Sequence, residues 1–224
     1  MTIRFQRSTL VTLLAASLIG LGGCIPLVPL MVGGAVVGGG MVATDRRTSG
    51  TVLEDETIEF KAASRIRENI GDRVHVNVTS YNRQVLLTGE VPSAQDKQLV
   101  EKIVAGVENA RNIVNELAVM GNSTLTQRSS DALVTTRVRA ALVDDKDLYA
   151  NAYKIVTERG TVYVQGRVTK READRGTEII RNVQGVQRLV RIFEIISEDE
   201  LKRMLPQPAP ASAAPPPERP LMKN

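Results

Sequence analysis

The chain has 224 residues, of which 42% are hydrophobic and only 3% aromatic, with one cysteine, Cys24, and one histidine, His75. This composition excludes an intramolecular disulfide and a zinc site built from four Cys and His side chains. The 29 basic and 25 acidic residues give a formal net charge of +4, which is too small to indicate nucleic-acid binding, so no nucleic-acid partner is predicted.

Residues 1–23 are predicted to form a secretory signal peptide. Arg4 and Arg7 make a short basic start, and an uncharged, mostly apolar run follows them. The run ends in Leu21-Gly22-Gly23-Cys24, which resembles a lipobox, the site where a cysteine thiol receives a diacylglycerol before the signal is cleaved. We therefore predict that Cys24 is the lipid anchor of a membrane-attached protein.

Residues 24–50 are predicted to form an apolar, glycine-rich tether. Pro26 and Pro29 interrupt any helix that begins near the cysteine. In lipoproteins of this kind, an aspartate after the lipidated cysteine favours retention in the inner membrane. This chain has Ile25 at that position, so we predict attachment to the outer membrane, on its periplasmic face.

An uncleaved transmembrane span is the alternative for this region. No charged residue occurs from Ser8 to Thr44, and about 20 apolar residues suffice to cross a membrane. Gly34 and Gly38 also have the spacing of a small-residue helix interface.

The rest of the chain contains two copies of one pattern. Val85-Leu86-Leu87-Thr88-Gly89 in the first copy corresponds to Val162-Tyr163-Val164-Gln165-Gly166 in the second, 77 positions later. In both copies the apolar spacing predicts a helix, two strands, a helix and a final strand. We predict an α+β protein with tandem α-β-β-α-β domains at 51–120 and 131–197 and a linker at 121–130. Each domain has a three-stranded mixed sheet with two helices on one face.

The first copy is predicted to begin with a helix over Glu56–Ile70, followed by strands over Val74–Tyr81 and Arg83–Val91. Ser93 is the predicted N-cap of the second helix. The residues predicted to be buried on that helix are Leu99, Val100, Ile103, Val104 and Val107, and those on the closing strand are Ile113, Leu117 and Val119.

The second copy repeats this plan. A helix is predicted over Ala132–Leu142, with its inward side chains at Val134, Val138 and Leu142. Strands follow over Ile155–Glu158 and Thr161–Val168, and Asp144–Ala150 is an extra loop. Thr169 and Glu172 form a predicted capping box before the last helix. The closing strand carries Leu189, Phe193 and Ile195.

The two domains differ in charge, and a polar tail follows them. Residues 51–120 hold 8 basic and 11 acidic residues, whereas residues 121–205 hold 15 and 12. Glu54-Asp55-Glu56 is predicted at a helix start and Glu198-Asp199-Glu200 in a polar exit segment. The Pro- and Ala-rich part of 198–224 is predicted to be disordered.

A lipobox followed by two such repeats resembles the BON-domain family of bacterial envelope proteins, and within it the outer-membrane lipoproteins that carry two BON domains. The resemblance extends from about Asp45 to Ile196. The segments that carry it are Asn77-Val78-Thr79, Val85-Leu86-Leu87-Thr88-Gly89, Thr135-Thr136-Arg137-Val138-Arg139 and Val168-Thr169-Lys170-Arg171-Glu172-Ala173.

The resemblance implies that the first helix of the second domain binds anionic phospholipid, such as phosphatidylglycerol. An exposed leucine beside arginines would touch acyl chains and pair with phosphates, and a family member has tryptophan where this chain has Leu133. The candidate contact residues are Leu133, Thr136, Arg137, Arg139, Ala140 and, in the following loop, Lys146. The alternative is that the arginines are only solvated and that Leu133 packs on the neighbouring domain.

The resemblance further implies a non-enzymatic protein that supports envelope integrity, at the division site or under outer-membrane stress. The alternative is an adaptor for outer-membrane assembly machinery or for peptidoglycan remodelling factors. No catalytic residue, cofactor or metal site is predicted. His75 has no second histidine as a partner, and it alternates away from the apolar residues of its strand, which predicts a solvent-facing side chain.

Overall fold

The computed structural model of the chain describes residues 45–204. The predicted signal peptide, Cys24, most of the predicted tether and the Pro-rich tail lie outside the described residues. Within residues 45–204, no helix is both long and apolar enough to cross a membrane. The elements in chain order are α1 (Ser49–Ile70), β1 (His75–Tyr81), β2 (Gln84–Val91), α2 (Ala94–Ala105), β3 (Arg111–Asn115), β4 (Ala118–Val119), α3 (Leu125–Asp144), β5 (Tyr153–Glu158), β6 (Thr161–Thr169), α4 (Lys170–Arg181), β7 (Arg188–Ile196) and α5 (Glu198–Met204).

The first domain runs from α1 to β4. β1 and β2 form an antiparallel hairpin, and both β3 and β4 pair in parallel with β2. The closing strand is interrupted between β3 and β4, where the Leu117 N–H donates to Asn115 Oδ1 at 3.2 Å. α1 and α2 pack on one face of the sheet, around a core that includes Ile58, Leu87 and Val100.

The second domain repeats the arrangement with an unbroken closing strand. β5 and β6 are antiparallel, and β7 pairs in parallel with β6 from Arg188 to Ile196. α3 and α4 cover one face around Val138, Val164 and Ile180. The predicted α+β fold with two α-β-β-α-β units is confirmed.

Both first helices begin seven residues earlier than predicted. α1 begins at Ser49 because the Thr48 side chain caps it, and α3 begins at Leu125 because the Thr124 side chain caps it. Residues 125–130 therefore belong to a helix and not to a linker. The extra turns carry no inward apolar repeat, so periodicity could not detect them.

Several side chains differ from their predicted environment. Leu99 is exposed, because it lies one helical step of about 100° away from the buried Val100. Val119 and Ile195 are also exposed, and both lie near the end of an edge strand, at the rim of its sheet.

The two acidic runs are also placed differently. Glu54-Asp55-Glu56 lies inside α1 and not at its start, and Asp55 is buried. Glu198-Asp199-Glu200 is the first turn of α5, which packs through the buried Leu201. The predicted polar exit segment is therefore partly helical.

The two domains pack against each other through the sheet faces that carry no helices. Leu86 of β2 is buried in a small apolar cluster with Tyr163 of β6 and Ile192 of β7. Across the same contact, Gln165 Nε2 donates to the Gln84 carbonyl oxygen at 2.9 Å. Both faces of each sheet are thus covered, one by the domain's own helices and the other by the second sheet.

Each domain holds its first helix to its first hairpin with a buried aspartate. Asp55 of α1 accepts hydrogen bonds from the two backbone N–H groups of the β1–β2 turn at 2.8 and 2.7 Å. Asp131 of α3 accepts the equivalent bonds from the β5–β6 turn at 2.8 and 2.9 Å. The residues of both turns have positive φ, which brings consecutive N–H groups toward one acceptor. Asp131 therefore sets the position of α3.

We expect Asp131→Ala to lower the free energy of unfolding by about 3 kcal/mol, because two N–H groups lose a charged acceptor inside the protein. Asp174→Ala is the matched control, since Asp174 is an exposed aspartate of α4 that pairs with Lys170. It should cost less than about 0.5 kcal/mol. Denaturant unfolding of the parent and both variants measures this. Equal losses would show that the turn contact does not stabilise the domain.

Candidate functional site

An apolar stripe runs along the solvent side of α3. The inner side of the helix is buried as predicted, through Val134, Val138 and Leu142. On the outer side, Leu125, Leu133 and Val143 have exposed fractions of 79%, 58% and 67%. The exposed residues of this outer side, called the α3 stripe from here on, are Leu125, Ser129, Ala132, Leu133, Thr136, Ala140 and Val143.

Arginines lie on both sides of the α3 stripe. Arg137 is exposed on one side, where its Nη1 donates to the Gln184 carbonyl oxygen at 3.4 Å. Arg139 lies on the other side, toward the first domain. Because each residue turns an α-helix by about 100°, these two arginines point about 200° apart. The structure therefore places the predicted Leu133, Thr136 and Ala140 on the stripe, with one predicted arginine on each edge.

Two cavities lie along the edge of α3 that faces the first domain. The first has a volume of about 480 Å³, and its lining includes Asn77 and Arg128. The second has about 390 Å³, and its lining includes Asp45 and Val143. Arg139 lines both cavities. Arg128 is thus a second cation on this edge of the helix.

Lys146 is the predicted contact residue that lies outside α3. It is exposed in the loop after α3, between Asp145 and Asp147. Neighbouring carboxylates weaken the attraction of a lysine to an anionic surface. Lys146 is therefore a weaker candidate than the arginines of α3.

Sequence reasoning missed Leu125, Arg128 and Val143, because the predicted helix covered only 132–142. Leu125 and Val143 lie 18 residues apart, which is five full helical turns, so they share one side of α3. Extending the helical spacing beyond both predicted ends would have found them. Leu133 itself is more than half exposed.

The chain before α1 is fastened to the second domain by Arg46. Its buried guanidinium donates to both carboxylate oxygens of Glu172, at 2.8 and 2.5 Å, and to the Arg167 carbonyl oxygen at 2.7 Å. Glu172 also completes the predicted capping box of α4, because it accepts a hydrogen bond from the Thr169 N–H at 2.9 Å. Asp45, the first described residue, consequently lies beside the second domain.

His75 faces the second domain, which corrects the predicted solvent-facing position. Its side chain is only 18% exposed, and its Nδ1 lies 2.9 Å from Glu90 Oε2. Glu90 is buried, and its Oε1 accepts a hydrogen bond from Arg159 Nε of the second domain at 2.8 Å. Alternation along β1 had placed His75 opposite the first core, but the second domain covers that face.

The chain contains two α-β-β-α-β units that are joined through their sheets, and one helix carries an apolar stripe between arginines. These features define a tandem-domain protein with a candidate binding surface. The BON domain family matches residues 54–121 and 130–195 of the chain. These ranges cover both units. The chain therefore belongs to the BON-domain family.

Two curated relatives match over most of their length. The chain is 34% identical over 190 residues to the outer membrane lipoprotein DolP of Haemophilus influenzae, across 82% of this chain and 94% of that protein. It is 29% identical over 154 residues to the 21 kDa hemolysin of Actinobacillus pleuropneumoniae, across 68% of this chain and 79% of that protein. The match to DolP confirms both the resemblance to dual-BON lipoproteins and the predicted outer-membrane location.

Among solved structures, the C-terminal domain of CdsD, from the type III secretion system of Chlamydia trachomatis, is similar to 67% of this chain. The match covers 100% of that chain, with 11% sequence identity and a TM-score of 0.27. A similarity at this level carries no argument about function.

The Arg46–Glu172 pair makes the stability of the protein sensitive to acid. Burial disfavours the charged Glu172 carboxylate, but hydrogen bonds from Arg46 and Thr169 outweigh burial and hold its pKa below the ordinary value of 4.5. A carboxylate whose pKa is lowered by folding stabilises the folded state at pH values above its ordinary, unfolded pKa. That stabilisation is lost as the pH falls through the lower, folded pKa.

Glu172→Gln should therefore lower the free energy of unfolding at neutral pH by about 3 kcal/mol, since Arg46 stays buried without a counter-charge. Between about pH 5 and pH 3 the variant should lose less stability than the parent, because an amide does not titrate in this range. Thermal unfolding at several pH values measures both effects. Glu178→Gln, at an exposed glutamate of α4 that pairs with Arg175, is the control. If Glu172→Gln keeps the parent's acid sensitivity, another group causes it.

Proposed function

We propose that the protein binds anionic phospholipid, such as phosphatidylglycerol, through the α3 stripe and its flanking arginines, and that it supports envelope integrity without catalysis. The observation that carries this proposal is the pairing of exposed apolar side chains with cations on both edges of one helix. A helix with this pattern lies in a membrane interface, with its apolar side toward the acyl chains and its arginines near the phosphates.

The expected strength of the contact is moderate. Full burial of a leucine or valine contributes about 1.5–3 kcal/mol, so Leu125, Leu133 and Val143, each already partly buried, would together contribute about 4 kcal/mol. Each arginine near an anionic surface adds about 1 kcal/mol. The α3 stripe has no tryptophan or tyrosine, the residues that anchor best at an interface. The surface alone would bind reversibly.

A lipid anchor at Cys24 would make such a contact effective. Asp45, the first described residue, lies beside the second domain and lines the same cavity as Val143 of the α3 stripe. The 21 peptide steps from Cys24 to Asp45 reach at most about 75 Å when fully extended. An anchor within that reach keeps α3 at a high local concentration near the membrane, so a weak contact suffices.

The first domain would serve another purpose. Its net charge of −3, from 8 basic and 11 acidic residues in 51–120, is repelled by an anionic leaflet. We propose that it acts as the scaffold to which the second domain is attached, through the contact of Leu86 with Tyr163 and Ile192.

Flotation with vesicles tests the α3 surface directly. The chain from Ile25 onward, made without a lipid anchor, should float with vesicles that contain phosphatidylglycerol and not with vesicles of phosphatidylcholine alone. Leu133→Glu combined with Arg137→Glu should weaken binding at least tenfold, because it removes an apolar contact and reverses a charge on the same side of α3.

The matched control is Leu53→Glu combined with Phe60→Glu. These residues of α1 are 65% and 74% exposed, so the control places two glutamates at exposed apolar positions of the first domain and changes the net charge by −2, against −3 for the α3 variant. It should bind as the parent does. If the α3 variant also binds as the parent does, the lipid contact lies elsewhere.

A second function, docking of a protein partner, is favoured by the same exposed pair on α1. Leu53 and Phe60 are seven residues apart and lie on one side of the helix. Such a surface would suit an adaptor for outer-membrane assembly or peptidoglycan remodelling factors.

Crosslinking in cells separates the two functions. A photo-crosslinking amino acid at Phe60 should give a discrete protein adduct if α1 docks a partner. The same amino acid at Leu133 should give lipid adducts that diminish when anionic phospholipid is depleted. A discrete protein adduct at Leu133 that is insensitive to depletion would contradict the lipid proposal and support the adaptor.

A further inference from the structure

Three potential metal ligands meet where the first domain contacts the second. His75 and Glu90 are cross-strand partners on β1 and β2, and Glu158 is the last residue of β5 in the second domain. One ring nitrogen of His75 and one carboxylate oxygen from each glutamate all lie within 4.8 Å of one another. These three residues are called the seam cluster from here on.

We propose that the seam cluster binds one divalent transition-metal ion, of which zinc is the representative, and that the ion links the two domains. One imidazole nitrogen and two carboxylate oxygens are ligands that zinc accepts, and a site with three protein ligands leaves a fourth position for water. A chain with one cysteine and one histidine cannot form a cluster of four Cys and His ligands, but it can form a mixed site from one histidine and two carboxylates.

The distances fit this chemistry after a small adjustment. In a tetrahedral site with bonds of about 2.0–2.1 Å, neighbouring ligand atoms lie about 3.4 Å apart. His75 Nδ1 and Glu90 Oε2 are 2.9 Å apart, and no ligand pair exceeds 4.8 Å. Movements of up to about 1.5 Å within side-chain torsions would complete the site.

Glu158 supplies an independent reason to expect a cation here. Its side chain is partly buried and accepts a hydrogen bond from the neutral Asn77 amide. Among residues 45–204, no Lys, Arg or His side chain forms an ion pair with it. A buried carboxylate without a cation is unfavourable, and a metal ion shared with Glu90 would supply the missing charge.

The surroundings support a bound ion in two further ways. Glu90 is held by Arg159 Nε on Oε1 at 2.8 Å and by the Ser123 N–H on Oε2 at 3.1 Å, contacts that orient a ligand carboxylate. The 480 Å³ cavity is lined by both His75 and Glu158, which provides a path for the ion and room for water. Arg159 neutralises part of the Glu90 charge, so the site would bind less tightly than a structural zinc site.

Zinc titration of the full-length lipoprotein in detergent tests the proposal. A competing chromophoric chelator reports the affinity, and the parent should bind one equivalent of zinc. His75→Ala and Glu158→Gln should each weaken this binding at least tenfold, because each removes one of three ligands. Zinc should also raise the unfolding temperature of the parent, and neither variant should respond.

Glu194→Gln is the matched control. Glu194 is another carboxylate that joins the domains, accepting a hydrogen bond from Asn82 Nδ2 at 2.6 Å, but it lies outside the seam cluster. This variant should bind zinc as the parent does. Unfolding without zinc shows whether each variant is folded. The proposal is wrong if the parent binds no stoichiometric zinc, or if folded His75→Ala and Glu158→Gln variants both bind it as tightly as the parent.

Discussion

Each of the two sheets would leave one face in water if its domain stood alone. A three-stranded unit of about 65 residues has little surface with which to stabilise itself, and its two helices cover only one side. The contact through Leu86, Tyr163 and Ile192 removes both open faces at once. Because the sheets meet directly, α1 to α4 are left on the outside, and the hairpin β1–β2 is brought against β5 and the edge of α3. The cavities beside Arg139 and the cluster around Glu90 exist only because of this contact.

The two domains share one scaffold but differ in their surfaces. Asp55 and Asp131 make the same contact with the same turn in each domain, so α1 and α3 are held alike. Their solvent sides are not alike. α3 carries apolar residues between arginines, whereas the apolar pair on α1 stands in an acidic domain. The distinction between the domains therefore lies in the outer residues of one helix, and it arises without any change of fold.

Much of each domain could be predicted from residue spacing. The spacing predicts the repeated strands that contain Gly89 and Gly166, and short motifs predict the Ser93 cap and the Thr169–Glu172 capping box. The α3 core residues Val134 and Val138 are buried as expected. The helix starts were wrong because their first turns lack an inward apolar repeat. The candidate surface was incomplete because Leu125 and Val143 lie outside the predicted helix over 132–142.

The sequence alone determined the order of elements, most of the core of each domain and the membership of its family, because these depend on local periodicity and on short capping motifs. The tertiary structure decided which polar and apolar residues are accessible. Alternation along β1 predicts that His75 lies opposite the first core, but it does not predict whether that side is exposed to solvent or covered by protein. The second sheet covers it, which makes His75 and Glu90 internal neighbours of Glu158. In the same way, only the tertiary structure shows that Arg139 faces the first domain and lines both cavities there, since contacts between distant segments are not encoded in the spacing of near neighbours.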